Sequence, residues 1–311
     1  MKLSEKIINS KPIVWVTELA KKISFPGNPN VKLYELVPVL LGKIQKEGVN
    51  VRAAAISFDF IMAIPALVIF IATLVPFFPN SGLLFNELIS FINSLTPNMR
   101  ARSIATKYLS DVFSSSSTGI ISLSIILALF YSSRAMFGVI NSFDRSIKIR
   151  DKTNFVSKRI RAILLTLVII FMLIATLLIS LGQGNLFNRI MLWLKIENEA
   201  LISIIKNFRW VLIVALFYFS ISFIYKFGPS AETRAKFYSS GSWFATLLII
   251  LTTSLFSIWA QNFSAYNKFY GPIGSIMLVM LLIYIDSFLL LLGFELNNSL
   301  AIINDKKKRE T

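Results

Sequence analysis

The chain has 311 residues, a formal charge of +16, 55% hydrophobic content and a mean hydropathy of +0.68. Apolar runs of about 20 residues recur along it, the length a helix needs to cross roughly 30 Å of hydrocarbon. It contains neither cysteine nor histidine, which excludes disulfides, thiolate nucleophiles, haem-ligating or general-base histidines and zinc sites of the Cys/His kind. Proton chemistry falls to Asp, Glu, Lys or Tyr, and a metal would need oxygen ligands.

Taken in order, residues 1–52 read as a basic, amphipathic cytoplasmic segment with two interfacial helices. Ile13, Val14, Trp15, Val16, Leu19 and Ile23 share an apolar face beside Lys21 and Lys22, and Pro26-Gly27-Asn28-Pro29 forces a turn. Leu33, Leu36, Val37, Leu40, Leu41 and Ile44 repeat the pattern, with Lys43 and Lys46 on the wet side. No apolar core with a small-residue cleavage site follows, so no cleavable signal peptide is expected.

The pattern predicts an all-α, polytopic membrane protein with six transmembrane helices, at 53–78, 119–143, 162–181, 208–227, 239–263 and 273–296, plus amphipathic interfacial helices. Pro65 should kink the first span, which neighbouring helices in a membrane accommodate. Residues 80–118 are too polar to cross and form an extracytoplasmic helical loop, with Thr96-Pro97 as a helix start. The strongly basic loop from Arg145 to Arg161 separates the second and third spans, Gly228-Pro229 stops the fourth, and 299–311 is a basic cytoplasmic tail.

With six spans both termini share a side. That side carries 23 Lys and Arg against 8 on the other, which orients both termini to the cytoplasm. The same bias accounts for most of the net charge, so nucleic-acid binding gains no support from it. The expected partners are membrane lipids, anionic at the cytoplasmic face, with homo-oligomerisation left open.

Charges inside spans are expensive, about 2.5–3.5 kcal/mol each on insertion scales, and each calls for a partner or a purpose. Asp59 and Arg134 fall at compatible depths for pairing, roughly 9 and 12 Å from the cytoplasmic ends of their helices, with Asp286 deeper at about 18 Å. Ala55, Asp59, Ala63 and Ala66 share a small-residue face suited to close packing. Arg134, Gly138, Asn141 and Arg145 form another face, read as buried between helices. Ser275, Asp286, Gly293 and Asn297 align on the last span, and Ser242, Thr246, Thr253 and Ser257 on the fifth. These stripes would line a polar path or serve equally as interhelical glue. Glu295 lies 180° around the helix from Asp286 and reads as exposed or interfacial. No Walker loop, serine elbow or histidine metal motif occurs, so neither cofactor nor enzymatic activity is expected.

The order and spacing of Arg52-Ala53-Ala54-Ala55, Pro65, Asn141-Ser142-Phe143-Asp144, Tyr225-Lys226-Phe227-Gly228-Pro229, Gly241, Tyr266-Asn267-Lys268, Tyr270-Gly271, Gly274, Gly293 and Glu295-Leu296-Asn297 resembles the YihY/virulence factor BrkB family, which also carries the legacy label ribonuclease BN. The resemblance implies a multi-pass protein of the bacterial inner membrane with a role in envelope or lipid transport, and supplies no catalytic residues. Pro272, Phe294 and Asp286 depart from the family pattern, so a mechanism built on Asp286 would be particular to this chain. The leading expectation is a transporter- or flippase-like protein for a lipid or envelope solute. The alternative is a non-transporting scaffold, and ribonuclease activity is the weakest reading.

Overall fold

The computed structural model describes residues 24–25, 28–46, 48–74, 99–114, 118–147, 154–180, 208–230, 237–261 and 272–310, together with 82, 85, 86 and 89. A short hairpin comes first: β1 (Ser24–Phe25) pairs antiparallel with β2 (Asn28–Lys32). It adds a small sheet to the expected all-α protein, and Asn28 and Pro29 begin a strand rather than completing the turn. The first interfacial stretch, 13–23, lies outside the described residues. The second forms helix α1 (Leu33–Lys46).

Gly48 adopts a φ of 60°, a left-handed conformation that a residue without Cβ enters freely. The turn it makes sets α1 at 63° to the next helix, α2 (Val49–Leu74), which continues through Pro65. Then follow α3 (Met99–Ser114), α4 (Thr118–Ile147), α5 (Phe155–Ser180), α6 (Arg209–Phe227), α7 (Ser240–Gln261) and α8 (Pro272–Glu310). Among the described residues, four stretches are long and apolar enough to cross a membrane: Phe155–Thr176, Arg209–Phe227, Ser240–Trp259 and Met277–Arg309. The protein is a helical, multi-pass membrane protein.

Chain neighbours pack side by side: α2 on α4, α4 on α5, α5 on α6, α6 on α7 and α7 on α8. α8 then returns to α2, closing a ring, and also touches α4 across it. Among the described residues, each helix of the ring buries its side chains at the same end. The buried residues fall within 49–63 of α2, 133–146 of α4, 158–166 of α5, 218–225 of α6, 241–249 of α7 and 287–303 of α8. This end, called the terminal end below, also holds α1 and the C-terminal part of α8. Phe143, Tyr225 and Phe294 meet at its centre, with Phe143 and Phe294 stacked at 3.9 Å.

Two boundaries and one helix face differ from the sequence reading. The basic stretch after Phe143 is not all loop: Arg145 stays on α4, and Lys158, Arg159 and Arg161 occupy the first two turns of α5. The tail expected from 299 is helical, because α8 runs unbroken for 39 residues, about 58 Å and nearly twice a bilayer core. Its last turns are held by α1 and β2, where Leu36 and Val31 pack on Leu296, Leu300 and Ile303, and Lys307 pairs with Glu35. On α2 the face toward the ring is Val49, Arg52, Ala53, Ile56, Ser57 and Ala63, whereas Ala55 is exposed. The small-residue face read from the sequence is thus only partly buried.

Candidate functional site

The terminal end concentrates the buried polar chemistry of the described residues. Glu295, on α8, is 1% exposed. Its Oε1 accepts a hydrogen bond from Arg52 Nη2 of α2 at 2.8 Å, and its Oε2 accepts one from the Ser146 hydroxyl of α4 at 2.6 Å. Lys43 Nζ of α1 approaches Oε2 at 3.4 Å. Arg52 donates again, through Nη1, to the Ser142 carbonyl at 2.6 Å, and Asn298 Nδ2 donates to the Ser146 hydroxyl at 2.9 Å. Four helices are thereby tied to one carboxylate. A buried ion pair is tolerable only with such additional hydrogen bonds, because desolvating each ion costs several kcal/mol.

A second buried pair lies at the α4–α5 junction. Lys158 Nζ is 3.0 Å from Asp144 Oδ2, and Asp144 also accepts from the Ser230 amide at 2.7 Å and hydroxyl at 2.6 Å. Arg161 Nη1 donates to the Pro229 carbonyl at 2.6 Å. The Gly228-Pro229-Ser230 turn that stops α6 is therefore held down by the starts and ends of its neighbours. Gly228 lies under the Phe143 ring, where an added Cβ would sit 3.2 Å from a ring carbon.

The third element is a close backbone approach between α7 and α8. A Cβ at Gly241 would overlap the Gly293 carbonyl oxygen, and one at Gly293 would meet the Tyr225 hydroxyl at 2.5 Å. Asn297 bridges the same helices, accepting from the Gly241 amide at 2.7 Å and donating to the Ser239 hydroxyl at 2.9 Å. Tyr225 completes the layer by donating to the Leu290 carbonyl at 2.6 Å.

The residues singled out in the sequence distribute unevenly around this end. Gly293 and Asn297 lie in it. Glu295 does too, and the expectation of an exposed or interfacial role is corrected: the carboxylate is enclosed because α1, α2 and α4 all converge there. Asp59 and Arg134 pair at 3.0 Å, and Gly138 leaves room for the carboxylate, its Cβ position being 3.3 Å from Asp59 Oδ2. That pair is peripheral, however. The Arg134 side chain is 55% exposed, and Arg145 on the same face is exposed, so the face is an edge rather than a buried seam. Asn141 is half-buried on it.

Asp286 is half-buried above the terminal layer, nine residues or about 14 Å along α8 from Glu295. The Thr253 hydroxyl of α7, at an exposed position, approaches its carboxyl, and Oδ1, shielded from solvent, has no hydrogen-bond partner among the described residues. Pro65 is exposed within α2, and Gly274 falls in the first turn of α8. Tyr266, Tyr270 and Gly271 lie outside the described residues. The sequence reading missed Arg52, Lys43, Ser146, Asp144 and Lys158. The signal for the first was present: Arg52 opens the first span and Glu295 closes the last, so the two charges share a depth.

The family model described as virulence factor BrkB matches residues 40–311, which contain all of these contacts. The chain belongs to the virulence factor BrkB family. This BrkB-family protein is 24% identical over 257 residues to the ribonuclease-like protein YfkH of Bacillus subtilis, covering 83% of the chain and 90% of that relative. It is 22% identical over 301 residues to a UPF0761 membrane protein of Alteromonas mediterranea, covering 94% and 97%. No solved structure matches it.

Chemically, the terminal end is closed and internally paired. Its carboxylates are engaged by cations and hydroxyls, and its closest helix contact leaves no room for a methyl group. The family has no established catalytic role.

Proposed function

We propose that this protein is a carrier of the bacterial inner membrane, transporter- or flippase-like, that handles a lipid or other envelope solute. Six helices, α2 and α4 to α8, cross the bilayer in this reading, with both termini cytoplasmic as the distribution of Lys and Arg favours. One observation carries the reading: among the described residues the ring is tightly closed at the terminal end, while a polar stripe with Asp286 and Thr253 continues beyond the closure. A carrier that exposes its path to one side at a time needs a seal of this kind at one end and polar groups near the membrane centre. The proposal assigns no catalysis. A chain without histidine lacks the usual general base, and YfkH's ribonuclease-like name belongs to a relative at 24% identity.

A second reading, a scaffold that does not transport, is favoured by α1. Its exposed face carries Tyr34, Val37 and Leu41 at i, i+3 and i+7, with the exposed Lys32 of β2 just before it, a composition suited to the anionic headgroup region of a bilayer. Reconstitution into liposomes with a leaflet-exposure assay for labelled lipids separates the two. Lipid movement above protein-free vesicles supports the carrier. No movement across several lipid classes, with binding to anionic vesicles retained, replaces it with the scaffold.

A further inference from the structure

The other carboxylates inside the described bundle each have a cation: Asp59 has Arg134, Asp144 has Lys158, and Glu295 has Arg52 and Lys43. Asp286 has none among the described residues, although the chain carries 32 Lys and Arg against 16 Asp and Glu. α7, packed against it, contains no charged residue and offers the Thr253 hydroxyl. The charged groups of α2 are Arg52 and Asp59, both paired elsewhere. On α4 they are Arg134, Asp144 and Arg145, two of them paired and the third exposed. Among the described residues α1 meets α8 between Glu295 and Lys307, at the terminal end.

A carboxylate within a span requires compensation of its charge. With no described side chain supplying it, we infer that Asp286, assisted by Thr253, is a binding site for a monovalent cation taken from solution, either a proton or an alkali metal ion. One carboxylate and one hydroxyl match a single positive charge. Among the described residues no cluster of three acidic side chains is present to favour a divalent ion. The site deepens the carrier reading and rests on it, since a group of this kind next to a one-sided seal is where a carrier holds its coupling ion.

The test is thermal unfolding of the purified full-length protein in nanodiscs, followed by tryptophan fluorescence. It is run in choline, sodium and potassium chloride at fixed pH, and then across pH 5 to 9 in choline. Wild type should be stabilised by an alkali ion or by acid, and Asp286→Asn should abolish that dependence. Thr253→Val, which keeps the carboxylate, should weaken the apparent affinity several-fold, and Asp59→Asn should leave it intact. Infrared difference spectra identify a proton if a carboxylic-acid carbonyl band titrates in wild type and disappears in Asp286→Asn. Sodium- or potassium-dependent stabilisation without such a band identifies the metal ion. No cation dependence in wild type, or an undiminished one in Asp286→Asn, overturns the site. Should Asp286→Asn not fold, an unchanged affinity in Thr253→Val has the same force. Cation binding without lipid movement removes the carrier and keeps the site, whereas lipid movement without cation dependence does the reverse.

Discussion

Replacing Glu295 with Met tests whether the terminal end is held by one buried charge cluster. The substitution removes the acceptor of Arg52, Ser146 and Lys43 and leaves a guanidinium that is 5% exposed with the Ser142 carbonyl as its remaining acceptor in this cluster. Removing one partner of a buried pair costs about 3–5 kcal/mol, and the upper half of that range is expected because Arg52 cannot reach water. Arg52→Met should cost about 3 kcal/mol, since Glu295 retains the Ser146 hydroxyl and Lys43. The double variant substitutes two apolar side chains of similar volume, which is often near-neutral for a buried pair; it should lose less than either single change. Unfolding titrated with SDS in mixed micelles gives the three free energies and a coupling of at least about 4 kcal/mol. Losses that add to within about 0.5 kcal/mol, as for independent sites, would refute the cluster.

Gly241→Ala should destabilise by about 1–3 kcal/mol in the same titration, because its Cβ would overlap the Gly293 carbonyl oxygen. Asp144→Ala removes the carboxylate that engages buried Lys158 and both Ser230 donors and should cost about 3–5 kcal/mol. Its neighbour Arg145→Ala, at an exposed position, should stay within about 0.5 kcal/mol of wild type. Tyr225→Phe removes the bond to the Leu290 carbonyl without a steric change, so the expected loss is about 0.5–1.5 kcal/mol. The charge swap Asp59→Arg with Arg134→Asp should recover membrane expression lost in each single change, measured by quantitative immunoblot; no recovery would mean that the 3.0 Å pair is not what holds these side chains.

The helices were legible because their lengths and apolar content follow from chain-local physics. The Asp59–Arg134 pair was legible by depth: two opposite charges a similar distance into their spans have few other partners. Glu295 was misplaced for a related reason. A carboxylate at a span's end beside Asn297 and Asn298 looks wet when its helix is considered alone, and only the return of α1 and α2 over it removes the water. Likewise Lys158 reads as one more loop cation until the turn after α6 docks on Asp144. Arg134 failed in the opposite sense, its helical face being an edge of the ring rather than a seam.

By itself the sequence determined that this is a helical membrane protein without thiol or imidazole chemistry, with charges at particular depths and a family resemblance. Those properties depend on residue type and on separations along one helix. The tertiary structure alone decided which charges are shielded and which helices touch. It brought Arg52, Ser146 and Glu295 together across separations of up to 243 residues, and it left Asp286 without a cation among the described residues. Burial and pairing depend on what neighbouring helices bring to the same depth, and no stretch of a single helix contains that information.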